Sequence, residues 1–303
     1  MLLDDTWSVK ALQLPPRNQI LPCMAYLIRR HPCQGVYEAR QTFRASQHPR
    51  MVSFVFAAFL SSVLVLAAKN PKRGLAFADG NSARDLVHAN QSNSAITWQY
   101  DWAASPSSTL ASSGIQYVPM QWGTNGIQNV ASSTKGTKIL LGFNEPDLAS
   151  QSNLDPRTAA QLWKQYIQPL KSSGMKLVSP AVTSAPSGIP WLQEFLSACS
   201  GCSVDAIAVH WYGSGSQWFI EYLNKVHAAF PSRPIWVTEF ADTSTDTNTV
   251  ADFLKQSTAF MDSQSWVERY AWFAYMREDG SNHYSLLDSS GNLNCLGRLY
   301  VTP

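Results

Sequence analysis

From Gly74 onward the chain repeats one alternation eight times: a short apolar run, then a helical or turn-rich stretch. The runs cover residues 74–78, 97–101, 116–121, 138–143, 176–179, 206–210, 235–240 and 270–276. Strands apolar along their whole length, with amphipathic segments between them, are buried on both faces and therefore run parallel in an α/β architecture. Eight of them in about 230 residues predict a small (β/α)8 barrel folded as one compact domain. A doubly wound open sheet would carry a glycine-rich phosphate loop after its first strand, and none follows here.

The connecting segments support the same period. Leu162, Tyr166 and Leu170 recur at helical spacing within 158–172, and 217–229 reads as a second amphipathic helix. Pro169 lies inside the first and is expected to shorten or kink it, because it has no N–H to donate.

The front of the chain is different. Residues 1–50 show no sustained period, and Met51 then opens the apolar stretch MVSFVFAAFLSSVLVLAA, closed by Ala67 and Ala68. At about 17 apolar residues this is the core of a secretory signal peptide, slightly short for a spanning helix. The expectation is a non-native or unstructured leader at 1–50, a signal peptide at 51–68 and a catalytic domain at 69–303. The alternative for 51–68 is a signal anchor with the basic leader on the cytoplasmic side. A cleaved chain would be secreted and carry no membrane segment. Residues 1–68 hold seven basic and three acidic residues, so without them the formal charge moves from +2 to −2.

That balance excludes a polyanion partner, and with it nucleic acid. Only 15% of residues are charged, while eleven Trp and eleven Tyr are present. Such a chain suits a neutral, hydroxylated ligand held by stacking. Three cysteines follow residue 68: Cys199, Cys202 and Cys295. The Cys199–Cys202 spacing admits a small disulfide, a redox pair or half a metal site. A redox pair should open a helix, and a zinc site needs a second Cys/His pair, which is missing. A structural disulfide, with Cys295 a possible participant, is expected in an oxidising compartment.

In a (β/α)8 barrel, chemistry gathers at the C-terminal ends of the strands. The fourth run ends in Gly142-Phe143-Asn144-Glu145-Pro146-Asp147 and the seventh in Trp236-Val237-Thr238-Glu239-Phe240. Either Glu alone could as readily cap the next helix or pair with an Arg. Two of them, three strands apart around a ring, can face each other across its mouth. Retaining glycoside hydrolysis needs such a pair, one proton donor and one nucleophile, about 5–5.5 Å apart.

The neighbouring residues suit the same chemistry. Asn144 can bond a sugar 2-hydroxyl, and Tyr212 can donate to Glu239 and favour its ionised form. His210 is a candidate for orienting a carboxylate or a sugar hydroxyl, although a satisfied core histidine fits equally. Trp98, Tyr100 and Trp102 alternate around the second run, and Trp122 and Trp272 sit near the third and eighth. Alternation makes some of these core residues; Trp102, Trp122 and Trp272 are the expected sugar platforms.

At these residues the chain resembles glycoside hydrolase family 128, and within it the fungal members with an alkali-sensitive-linkage-like catalytic domain. The resemblance rests on Lys72-Arg73-Gly74-Leu75-Ala76, Trp98-Gln99-Tyr100-Asp101-Trp102, Pro119-Met120-Gln121-Trp122-Gly123, Gly142 to Asp147, Ala208 to Gly213 and Trp236 to Ala241. It implies a retaining, usually endo-acting β-1,3-glucanase without metal or organic cofactor, set in a fungal cell wall. The position of Glu145 then corresponds to the acid/base and that of Glu239 to the nucleophile. The expected partner is β-glucan, and the chain is taken to act as a monomer. A wall-bound glucan-binding protein with weak turnover, or the same machinery on another β-linked glucan, are the alternatives. No Gly-x-Ser-x-Gly elbow points to an acyl hydrolase.

Overall fold

Eight parallel strands, in the order β3-β2-β1-β8-β7-β6-β5-β4, form one curled sheet. The structure, a computed structural model, describes residues 69–78 and 81–302, so the expected leader and signal segment lie outside the described residues. The strands are β1 Arg73–Phe77, β2 Trp98–Tyr100, β3 Gln116–Tyr117, β4 Ile139–Leu141, β5 Lys176–Val182, β6 Ala206–Gly213, β7 Ile235–Asp242 and β8 Val267–Tyr275. Each overlaps one of the eight apolar runs. Among the described residues, no helix is long and apolar enough to cross a membrane.

The ring closes between β3 and β4. Met120 forms a parallel bridge with Leu141, the Leu141 N–H donates to Pro119 O at 2.9 Å, and the Gln121 N–H donates to Leu141 O at 3.0 Å. Pro119 explains why β3 stops well short of the expected 116–121, since it cannot donate to a ladder. The (β/α)8 expectation therefore holds.

Side-chain parity divides the core in two. Inside the barrel, Trp98, Tyr100 and Trp236 pack with Val118, Met120, Leu141 and Val178. Ala76, Ala181, Ala206, Ala208 and Ala271 leave the space those rings fill, so large residues on some strands answer small ones on others. Trp98 and Trp236 meet at a ring separation of 5.4 Å. The larger cluster lies between the sheet and the helices.

The helices are α1 Ser108–Ala111, α2 Val130–Ser133, α3 Pro156–Leu162, α4 Gly188–Ala198, α5 Ser216–Ala229, α6 Thr247–Ser263 and α7 Cys295–Val301. Asp155 caps α3 by accepting from the N–H groups of Arg157 and Thr158, with Pro156 in the first turn where its missing N–H costs nothing. The expected 158–172 helix is real only in part. It loosens into a π turn at Trp163–Ile167 and tightens to 3-10 geometry at Gln168–Ser173, where Pro169 removes a donor. Beyond α4, Cys199 and Cys202 are disulfide-bonded to each other, which removes the metal reading; the pair follows a helix instead of opening one, which argues against the redox reading.

Candidate active site

Glu145 follows β4 and Glu239 sits within β7, both at the C-terminal end of the barrel. They are nearly buried, at 7% and 5% exposure. Glu145 adopts φ +41°, an uncommon left-handed conformation for a non-glycine residue and doubly so before proline. Its backbone is held there by an N–H donated to Ala181 O at 2.7 Å and a carbonyl accepting from the Leu148 N–H at 3.0 Å. Trp102, another lining residue, also lies at positive φ, +62°. Such strain persists only where the surroundings over-determine it.

Glu239 owes its direction to a bulge. Val237 pairs with Val209, but Glu239 pairs with His210, so Thr238 is an extra residue in β7. The register against β8 shifts over the same residues. Trp236 belongs to the barrel interior and Val237 to the outer layer. Strict alternation would send Thr238 inward and Glu239 outward. The bulge lets both point into the mouth.

These residues form one hydrogen-bonded network. Tyr212 Oη donates to Glu239 Oε2 at 2.5 Å and Trp102 Nε1 donates to Glu239 Oε1 at 2.7 Å. His210 Nδ1 lies 2.9 Å from Glu145 Oε1 and 3.4 Å from Glu239 Oε2, while its Nε2 meets Thr238 Oγ1 at 2.9 Å. Burial pulls the His210 pKa down, but the Glu239 charge and the bond to Glu145 outweigh it and leave the value above 6.5. When the ring is protonated, both nitrogens donate. Burial, with the charge of Glu239, pushes the Tyr212 phenol well above its ordinary value, so it remains a donor.

One donor atom each from Glu145, His210 and Glu239 lies within 4.8 Å of the others. A cation held there would compete with the bonds from Tyr212 and Trp102 to Glu239 and with the contacts of His210 Nδ1. As placed, the imidazole bridges the two carboxyl groups, an arrangement chemically able to exchange protons with a ligand. It opens into a cleft of about 520 Å³ lined by Trp102, Trp122, Asn144, Gln151, Tyr212, Phe273 and Tyr284 with both Glu residues.

Residues 74–300 match the family model described as the glycosyl hydrolase catalytic core. The chain belongs to that family. It is 40% identical over 244 residues to alkali-sensitive linkage protein 1 of Schizosaccharomyces pombe, covering 76% of this chain but 44% of that relative. Among solved structures, a curdlan-specific exo-β-1,3-glucanase of family 128, subgroup III, from Blastomyces gilchristii is 36% identical. That alignment covers 77% of this chain and all of the other, with a TM-score of 0.67. A subgroup I endo-β-1,3-glucanase variant from Amycolatopsis mediterranei, bound to laminarihexaose, is 33% identical over 76% of this chain and 98% of its own, with a TM-score of 0.65. The resemblance to glycoside hydrolase family 128 is thus confirmed.

Within this family member, the expected residues fall into two groups. Glu145, Glu239, Asn144, Tyr212, Trp102 and Trp122 line the cleft, and His210 lies beneath it, fully buried. Asn144 Oδ1 is buried with no protein partner, leaving an acceptor for a ligand hydroxyl. Trp102 is tied to Glu239 directly, a contact its expected role as a platform did not include. Trp272 is a correction. It is fully buried in the outer layer, with Nε1 donating to Tyr284 O at 2.7 Å, and it does not line the cleft. Ala271 occupies the inward position, so its neighbour faces the helices. The same parity brings Phe273 into the cleft, an aromatic the sequence reading passed over along with Gln151 and Tyr284.

Proposed function

We propose that the protein is a secreted, retaining β-1,3-glucanase of the cell wall, endo-acting, with Glu145 as acid/base and Glu239 as nucleophile. One observation carries this: carboxylate oxygens of the two residues approach within 4.8 Å, which favours double displacement over the 6.5–9.5 Å spacing of inverting enzymes. The relatives that cleave or bind β-1,3-glucans support the linkage. Residues 69–303 would be the catalytic domain, released by cleavage of 51–68, and would act as a monomer.

In the first step a Glu239 oxygen bonds to the anomeric carbon as the glycosidic C–O bond breaks, and Glu145 gives its proton to the departing oxygen. In the second, Glu145 takes a proton from water, the water oxygen bonds to the anomeric carbon, and Glu239 departs as carboxylate. Trp102 and Tyr212 hold the two Glu239 oxygens, so little reorientation precedes attack. His210 holds Oε1 of Glu145. Asn144 Oδ1 offers an acceptor to the sugar 2-hydroxyl, a contact that tightens as oxocarbenium character develops.

The test is a product profile on linear β-1,3-glucan beside β-1,4- and β-1,6-glucans, with two variants. Short oligosaccharides from the β-1,3 polymer alone are expected; glucose as the sole product would replace endo by exo action. Glu239→Ala should lose turnover and regain it with azide as a glycosyl azide of inverted configuration. Glu145→Gln should slow natural glucans by about 100-fold or more and activated aryl glycosides far less. Binding of glucans without any product would instead mark a binding protein.

A further inference from the structure

Thr238, the extra residue of the β7 bulge, is fully buried. Its carbonyl accepts from Tyr100 Oη at 2.8 Å, a bond that reaches across from β2 and pins the bulge. Its hydroxyl oxygen lies 2.9 Å from His210 Nε2. One residue is thus held from two other strands, β2 and β6.

The two nitrogens of His210 meet different surroundings. Nδ1 faces carboxyl oxygens of Glu145 at 2.9 Å and Glu239 at 3.4 Å, acceptors that favour a hydrogen there whether or not the ring is charged. The charge of the ring is therefore decided at Nε2, where its partner is the Thr238 hydroxyl. A hydroxyl can accept from Nε2–H or donate to a bare Nε2, but the bond from a cationic ring is the stronger. A methyl group in its place would leave a buried N–H without an acceptor and disfavour the cation.

The other groups around the ring are accounted for. Glu145 and Asp147 act on it from the loop after β4 and Glu239 from β7, all three favouring its charged form. Burial, with the charge of Glu239, pushes the phenols of Tyr100 on β2 and Tyr212 on β6 well above their ordinary value, so both stay neutral. The other neighbour of β6 is β5, whose one titratable residue, Lys176, stands at its N-terminal end and pairs with Glu268.

We propose that Thr238 is a positioning residue of this site: its hydroxyl accepts the Nε2 hydrogen of His210, keeps the ring cationic between the two carboxyl groups, and so limits Glu145 as an acid at high pH. The link from hydroxyl to acid is electrostatic. A cation 2.9 Å from Glu145 favours the ionised carboxylate, so Glu145 loses its proton at lower pH with the hydroxyl than without it. The same cation stabilises the carboxylate left when that proton passes to the departing oxygen. The part given to Glu145 rests on the retaining-glucanase reading; the tie between Thr238 and His210 does not.

The experiment uses the full chain and compares Thr238→Val, which keeps the shape and removes the hydroxyl, with Thr238→Ser, which keeps the hydroxyl. Nitrogen NMR follows the His210 ring against pH, with His210→Asn identifying its signals among the six histidines. The kcat/KM on laminaripentaose is measured over the same range. Thr238→Val should lower the His210 midpoint by about one pH unit or more and move the alkaline limb of kcat/KM to higher pH. Thr238→Ser should return both to their positions in the unsubstituted protein. A midpoint unmoved in Thr238→Val overturns the proposal, and so does an alkaline limb that stays in place while the midpoint falls. Should Thr238→Val not fold, the unsubstituted protein decides: a His210 ring cationic between about pH 5 and 6.5 sustains the proposal, and a neutral one overturns it. If no form cleaves laminaripentaose but the midpoint still depends on the hydroxyl, the tie to His210 stands and the glucanase reading falls.

Discussion

Tyr212 donates its phenolic hydrogen to Oε2 of Glu239 across 2.5 Å, from the strand beside the one that carries the carboxylate. The bond spans a mismatch in register, because Thr238 is the extra residue that turns Glu239 toward Tyr212. Tyr212→Phe keeps the ring and removes only this donor. A hydrogen bond to a charged group implies a fall in kcat/KM of about 10- to 100-fold, with thermal stability little changed. Steady-state kinetics with an activated aryl β-glucoside would measure it, and a variant as active as the parent would remove Tyr212 from the machinery.

His210 confers a pH dependence of stability. Its folded value lies above 6.5, because the charge of Glu239 and the bond to Glu145 outweigh its burial. The stabilisation is therefore complete below its unfolded value and is lost as pH rises through the higher folded one. The melting temperature of the parent should fall more steeply than that of His210→Asn as pH rises above about 6.5. Parallel melting curves against pH would show that the imidazole is neutral in the fold.

Trp122 lines the cleft without bonding either carboxylate. Trp122→Ala should therefore raise KM by about 5- to 10-fold and leave kcat nearly unchanged, the pattern of lost uniform binding. A fall in kcat at constant KM would place Trp122 against the transition state instead.

Gly142 stands where β4 turns toward Glu145. A Cβ there would lie 2.7 Å from Pro180 N, 2.8 Å from Ser179 C and 2.9 Å from the Trp163 ring. Backbone atoms cannot yield as a flexible side chain can, so Gly142→Ala should cost about 1–3 kcal/mol. Denaturant unfolding would report it, with activity falling as Glu145 is displaced.

Eight apolar runs in alternation with amphipathic segments already determined a closed parallel sheet, since strands buried on both faces have few other solutions. Strand count also placed Glu145 and Glu239 at facing ends of the fourth and seventh strands, because barrel order follows chain order. Pro119 and Pro169 were legible as breakers through their missing N–H groups. Which side of each strand faces the mouth was not legible. Where both faces are apolar, composition does not mark the inward one, so Trp272 and Phe273 could be told apart only by packing. The Thr238 bulge was equally hidden, because it exists only as a register between β7 and its two neighbours. The contact of Trp102 with Glu239 joins residues 137 positions apart, and closure of the ring decided it.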